Sequence, residues 1–540
     1  GVLSDSVCGS VVLYALVLLA LFSYECLGSE SLQAFPLLKF DRVGQTPTIR
    51  KSSFNLAAAS YHSAYDESLS RSKAILLPHQ EFLRRTELFK NGTYPNLSST
   101  IIGNYQSTIA GGSSALVIVV PDQLDQETIP QWREAEQYLH TNELLIPVYF
   151  VYENDQLHEV LSTIETSSGY EAVSLPEKIF NTLLGDNYQL TVSTKEQSAL
   201  KQVTGTNIQG WLGGNGDVSS PTIAIVASYD SLAASPDLAK STTSSTSSTA
   251  ILLELVRVFN KLYSQPRTQS NYNLLFLLTT GGHFNFYGSK QWLSEADDRL
   301  VKSLEAVICL DSLGEASDSL YLHTSRPAKD PIANRLYENF KSAAKSLDLN
   351  VEVKQKKVNV SNTEEPWEHE HFSKRRILAS TLSAHSEPSP NFARSHIFDN
   401  SDDNTLNVIQ RNTKLVAEAI SRHIFGSTND MLVFQQSLEI GGELQENWLN
   451  TLSDTPRVFP YIPESIIEGL EKMIRDYTSD IVKQTFTLNK NSEYTFYTAN
   501  APTELTISVA KPFVFDVVLA IMIGGYLAGL YFLAKVRSSV

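Results

Sequence analysis

The sequence predicts an α/β fold, a mostly parallel sheet covered by helices, with a small N-terminal lobe before it and one C-terminal transmembrane helix after it. Three observations carry that expectation. Continuous apolar runs, such as the one at 222–227, have the length and composition of strands buried on both faces. Segments with apolar residues at helical intervals alternate with those runs, the order of a sheet with helices packed over it. A 22-residue apolar stretch, 513–534, carries one charge, Asp516, a turn in from its edge.

Taken in order, 11–22 is an apolar run of 12 residues. At ~1.5 Å per residue it is too short to cross a hydrocarbon core of ~30 Å. It fits the apolar heart of a signal peptide over 1–28, with Cys26, Leu27 and Gly28 offering small residues for cleavage before Ser29. The first basic residue, Lys39, comes only later, so an uncleaved anchor is the alternative reading. Residues 29–200 read as a luminal small lobe. Its apolar runs at 115–120 and 144–151 flank a segment, 130–140, with Trp132, Ala135 and Leu139 at helical spacing. That strand–helix–strand order predicts a parallel pair.

The second region, 201–425, alternates more regularly. Strands are expected at 222–227, 272–278, 306–310 and 377–382. A Ser/Thr-rich stretch, 241–249, precedes a helix at 250–263 with Ile251, Leu255, Val258 and Leu262 on one face. A shorter helix is expected near 290–293. A long one at 405–425 carries Leu406, Ile409, Val416, Ile420 and Ile424 at helical intervals. The luminal segment 426–512 reads as helical over 463–482 and then extended. The stretch 513–534 would make a helix of about 33 Å, enough to cross a bilayer. Pro512 stands before it, and Lys535 and Arg537 follow, so 535–540 begins a cytosolic tail. The sequons at Asn91, Asn96 and Asn359 all fall between the two apolar segments, where this topology puts the lumen.

Composition narrows the functional classes. Hydrophobic residues make up 42% and charged residues 19%, the balance of a globular chain. A formal charge of −16 argues against a phosphate-binding surface, which needs clustered Lys and Arg. Three cysteines, Cys8, Cys26 and Cys309, exclude a disulfide-stapled fold. There is no Gly-x-Ser-x-Gly elbow and no phosphate-cradling P-loop. The run Glu368-His369-Glu370-His371 looks metal-like but lacks the i, i+4 His pair of a zincin helix, and is read as solvated polar residues. Tyr61, His62, Tyr138 and His140 are isolated. Gly525 and Gly529 make a small-xxx-small face that permits close helix approach.

Open α/β sheets place ligands beyond the carboxyl ends of strands, so residues just after 227, 278 and 310 bear on function. Around them stand Pro221 to Asp230, Leu252 to Phe259, Tyr272 to Phe276, Gly281-Gly-His-Phe-Asn-Phe-Tyr-Gly-Ser289, Cys309 to Gly314 and Trp367-Glu-His-Glu370, with Lys511-Pro-Phe-Val-Phe-Asp516 further on. In these stretches the chain resembles the co-catalytic zinc aminopeptidases and, within that superfamily, the nicalin family of nicastrin relatives. The likeness runs with gaps from about residue 100 onward.

The resemblance implies an aminopeptidase-like domain over 201–425 whose metal site is vestigial. In a two-zinc peptidase the first His would stand at Ser228, with its orienting Asp at Asp230. The loop 240–250, which would hold the bridging carboxylate, contains no acid. The Glu-Glu pair aligns with Gly282 and His283, so the general base is missing. Asp311 occupies the next ligand position, and His396 is a loose candidate for the last. The expectation is a chain with no catalytic residues, no cofactor and no metal. The resemblance further implies a luminal scaffold in the endoplasmic reticulum membrane, in complex with nodal modulator and a small multi-pass membrane protein. That complex would lie beside the Sec translocon and serve multi-pass protein insertion. The alternatives are a divergent metallo-aminopeptidase and a nicastrin-like substrate gatekeeper of an intramembrane protease. The gatekeeper is disfavoured because nicastrin-type ectodomains are larger and richer in cysteine.

Overall fold

Alternate residues of the central strands face two different helix layers, which is why those strands read as unbroken apolar runs. The computed structural model describes residues 30–43, 52–60, 73–92, 115–142, 146–167, 187–216, 220–402, 404–426, 432–435, 438–488, 493–498, 501–510 and 513–538. The expected signal peptide, Asn96, Tyr61 and His62 lie outside them. In chain order the strands begin with β1 (Glu30–Pro36), β2 (Phe40–Arg42), β3 (Phe54–Ser60), β4 (Lys73–Pro78), β5 (Ala115–Val120), β6 (Val148–Tyr152) and β7 (Asn187–Val192). They continue with β8 (Thr204–Leu212), β9 (Thr222–Ser228), β10 (Asn273–Thr279), β11 (Leu304–Asp311), β12 (Ser319–Thr324) and β13 (Asn350–Gln355). The remaining strands are β14 (Ala379–Ser383), β15 (Asp480–Thr487), β16 (Tyr494–Phe496) and β17 (Thr503–Ala510).

The large sheet runs β13-β12-β14-β11-β9-β10-β8-β15. Its centre, β14-β11-β9-β10, is parallel. Towards the edges β8 lies antiparallel to β10, β15 to β8, and β12 to β14. The sheet is therefore mixed rather than mostly parallel. Apolar periodicity reports which face a residue buries but not the direction of its strand, so the sequence held no sign of the reversals. Ile223, Ile225, Ala227, Leu274, Phe276, Leu278, Ile308 and Leu310 pack under the helices Ser247–Tyr263, Pro331–Lys345 and Thr405–Phe425. The intervening Ala224, Val226, Leu275, Leu277, Val307 and Cys309 meet Trp292, Leu293 and Phe372 on the other face. Each large apolar side chain so buried is worth roughly 1.5–3 kcal/mol, so this double cover carries the fold without any metal.

The small lobe is a closed ring, β1-β17-β7-β3-β4-β5-β6. The pair β5–β6 is parallel, as the strand–helix–strand reading requires. The expected helix between them spans Ile129–Thr141 and buries Trp132, Ala135 and Leu139. Leu157, Val160, Leu161 and Ile164 of the helix Asp155–Ser167 cover one face of the ring. The core on its other face continues into Leu232, Ala233, Ala234, Phe284, Phe392 and Phe459, and so joins the lobe to the large sheet.

The segment after Gly426 serves both halves. The helix expected over 463–482 ends at Tyr477, and Val482 lies instead in the edge strand β15. Helical spacing persists only as far as Ile474. Beyond it, Asp480-Ile-Val-Lys-Gln-Thr-Phe-Thr487 is β-branched and suits a pleated edge. β17 then closes the ring by pairing with β1 and β7. A final helix covers Phe513–Ser538, with several side chains outside the described residues. Among the described residues no helix is long and apolar enough to cross a membrane.

Candidate functional site

Strand register assembles a cleft at the carboxyl ends of the parallel strands. Ser228 is level with Thr279 across β9–β10, and Asp311 with Ser383 across β11–β14. The cleft measures about 420 Å³ counted out to its open mouth. Ser228, Gly282, His283 and Asp311 all line it, together with Ser244, Ser245, Glu368 and Arg394. His396 does not line it. That side chain is buried elsewhere, and burial pushes its imidazole down to about 4 despite Asp399 nearby.

At Ser228 the hydroxyl lies 3.2 Å from Thr279 Oγ1, so two hydroxyls meet where the resemblance puts a ligand His. Asp230 is fully buried, and its Oδ1 accepts the Gly282 N–H at 3.0 Å. Burial holds its carboxyl above the usual range, opposed by His283 and the backbone N–H groups. Arg457 is also fully buried, and the charge of Asp230 favours its protonated form against the cost of burial. Its guanidinium donates to the Tyr229 and Thr455 carbonyls, both at 2.8 Å, and to Thr246 Oγ1 at 2.7 Å.

The acid-free loop is the wall of the cleft. Its turn Thr242–Thr246 runs into the helix Ser247–Tyr263. A carboxylate reaches it from outside. Asp399 Oδ1 accepts the Thr243 N–H at 2.8 Å and the Thr243 hydroxyl at 2.7 Å, and its Oδ2 accepts the Ser244 hydroxyl at 3.1 Å. A negative charge at the start of a helix is favourable there, so this acid serves the helix end.

The residues do not fit a pair of zinc ions. Position 282 has no room for a glutamate, because a Cβ on Gly282 would lie 2.4 Å from Ser228 Oγ and 2.7 Å from Ser228 Cβ. Asp311, where the resemblance puts a ligand, is already satisfied. Its Oδ2 accepts the Ser383 hydroxyl at 3.0 Å and its Oδ1 accepts Arg394 Nη1 at 3.3 Å. A cation belonging to the chain thus stands beside the carboxylate. Among the described residues no group of three or more His, Cys, Asp or Glu side chains is arranged to hold a metal ion. With neither a glutamate at 282 nor a ligand set, the cleft offers hydroxyls, His283, one ion pair and buried acids, and lacks the parts of a two-zinc peptidase.

Glu368 belongs to this cleft, contrary to the expectation that 368–371 is solvated. All four residues are buried. Glu368 Oε1 accepts the hydroxyls of Ser289 and, at 3.4 Å, Thr279. Burial pushes its carboxyl up to about 7. His369 Nδ1 lies 2.9 Å from Thr381 Oγ1, and Glu365 gathers His371, Lys374 and Lys290. The Trp367-Glu-His-Glu stretch was a signal for Glu368. Nothing local pointed to Arg394, Asp399 or Arg457. Of the sequons, Asn91 and Asn359 are exposed. A Cβ at Gly525 or Gly529 would meet nothing within 4 Å.

A parallel-centred sheet under helices, fused to a small ring of strands, is a nicastrin-like fold. The crystal structure of the γ-secretase component nicastrin aligns over 89% of this chain and 99% of its own, with a TM-score of 0.54 at 14% identity. The nicastrin large-lobe family model matches residues 221–423. Among curated relatives, the zebrafish (Danio rerio) BOS complex subunit ncln is 33% identical over 464 residues, 79% of this chain and 80% of its own. The human (Homo sapiens) BOS complex subunit NCLN is 31% identical over 447 residues, 79% of each. Nicalin of Caenorhabditis elegans is 26% identical over 489 residues, 84% of each. The chain belongs to the nicalin family.

Proposed function

We propose that this chain is a non-catalytic scaffold subunit of an endoplasmic-reticulum membrane complex, with the bulk of the chain luminal. The observation that carries the reading is its likeness to relatives named as BOS complex subunits. The cleft geometry supports the non-catalytic part. Arg394 stands against Asp311, Gly282 has no space for a base, and the loop wall carries hydroxyls. In this proposal the membrane anchor is the stretch 513–534, and its support is the sequence, 22 residues with the single charge Asp516. The exposed Asn91 and Asn359 then carry glycans on the luminal side. By family resemblance the partners are nodal modulator and a small multi-pass membrane protein beside the Sec translocon, and the task is biogenesis of multi-pass membrane proteins.

Affinity purification of the full chain in mild detergent, followed by identification of what comes with it, tests the proposal. Recovery with a stable set of membrane proteins and translocon components is the expected outcome. Recovery with an intramembrane protease would favour the gatekeeper reading instead. Recovery alone, with metal-dependent release of amino acids from peptides, would overturn the scaffold.

A further inference from the structure

The Arg394 guanidinium is held on several sides. Nη1 donates to Asp311 Oδ1 at 3.3 Å and Nη2 to the Pro366 carbonyl at 2.6 Å. The ring of Phe286 lies 4.6 Å from its central carbon and the ring of Trp367 lies 5.8 Å away. Trp367 is in turn stacked on His323, with ring centroids 4.0 Å apart. The whole side chain is buried. Such walls suit one kind of guest. A planar, weakly hydrated cation can present N–H edges to oxygens and its faces to aromatic rings at once. A zinc ion would instead need several nitrogen, sulfur or oxygen ligands at about 2 Å.

We infer that Asp311, the Pro366 carbonyl, Phe286 and Trp367 form a guanidinium-binding cage in the cleft wall, which Arg394 fills as a tethered ligand. Emptied of Arg394, the cage takes free guanidinium ion. This deepens the non-catalytic reading of the cleft and rests on it. The tether matters because Arg394 opens a segment whose next residues reach other parts of the molecule. The Ser395 hydroxyl lies 2.5 Å from that of Ser241. The Ile397 N–H donates to Glu136 of the small lobe at 2.8 Å, and Asp399 holds the turn at Thr243. Filling the cage therefore fixes the strap that connects the small lobe to the cleft wall.

The test uses the full chain in detergent with Arg394→Ala. Its melting temperature is measured against guanidinium chloride at low millimolar concentration, with sodium chloride and urea as matched controls. Binding to the folded state alone raises stability by mass action. The variant should melt several degrees below wild type and regain part of that loss saturably with guanidinium only, while wild type shows no gain. An unshifted melt, or a shift that guanidinium does not reverse, overturns the cage. Should Arg394→Ala not fold, Arg394→Lys keeps the charge but loses the planar fork. It should melt below wild type, and equality would overturn the inference. Neither readout depends on partner proteins, so a failed rescue and a failed co-purification are separate results.

Discussion

The carboxylate of Glu136 accepts the backbone N–H of Ile397 at 2.8 Å, across 261 residues of sequence. The same side chain accepts the Ala234 N–H at 2.8 Å and the indole N–H of Trp132. One buried acid of the small lobe therefore satisfies two loops of the large sheet. Glu136→Gln presents an amide N–H to at least one of these donors and strands it. Leaving a buried donor unsatisfied costs about 1–3 kcal/mol. The expected result is a lower denaturation midpoint with an unchanged slope, and a midpoint equal to wild type would show that the seam is held by its apolar contacts.

Glu368 makes stability depend on pH. Its carboxyl sits at about 7 in the folded chain, raised by burial and by Asp311 against Ser289, Thr279 and Arg394. In the unfolded chain a glutamate titrates near ~4.3. Between those values the folded state binds more protons, so the contribution is fully present at the acidic end. It is lost as pH climbs towards about 7 and is flat above. A displacement of that size corresponds to about 3–4 kcal/mol. Melting curves across this window should fall with pH in wild type and less steeply in Glu368→Gln, and parallel curves would count against the assignment.

The protein should purify without stoichiometric zinc and melt at the same temperature with or without a chelator. Metal affinity needs several ligands converging at once, and Ser228, Gly282 and the Arg394–Asp311 pair leave too few. Elemental analysis showing one or two zinc ions per chain, with chelator-sensitive melting, would revive the peptidase reading.

Glycans are expected on Asn91 and Asn359, both exposed. Treatment with an endoglycosidase should shift the mobility of wild-type protein made in cells. The double variant Asn91→Gln/Asn359→Gln should show a smaller shift. An identical shift would leave Asn96 as the sole acceptor and contradict this expectation.

Substituting Gly525→Ile and Gly529→Ile together should weaken partner association without lowering the stability of the luminal part. A Cβ at either position meets nothing within 4 Å beyond its chain neighbours and the helix's own backbone. The substitution instead blocks close approach by a neighbouring helix. Co-purification in mild detergent reads the outcome, and undiminished recovery of partners would place their contacts on the luminal lobes.

The sequence by itself determined the layered α/β architecture. Runs such as 115–120 and 223–227 are apolar at every position, which a strand covered on both faces requires. The helix Thr405–Phe425 shows its buried stripe in plain 3.6-residue spacing and stops at Gly426, whose φ of 64° suits glycine. The residues at the positions where the resemblance puts metal ligands were legible too, since Ser228, Gly282 and an acid-free loop are identities and need no coordinates. Only the tertiary structure decided strand direction at the sheet edges and the destination of β15 and β17, because pairing partners leave no local periodicity. It alone brought Arg394 to Asp311, 83 residues apart, and Asp399 to Thr243, 156 residues apart. A solvated charge and a buried, paired one have the same letter in a sequence. Burial turns Glu368 and Arg394 from surface residues into parts of a cleft, and burial is a property of the packed chain.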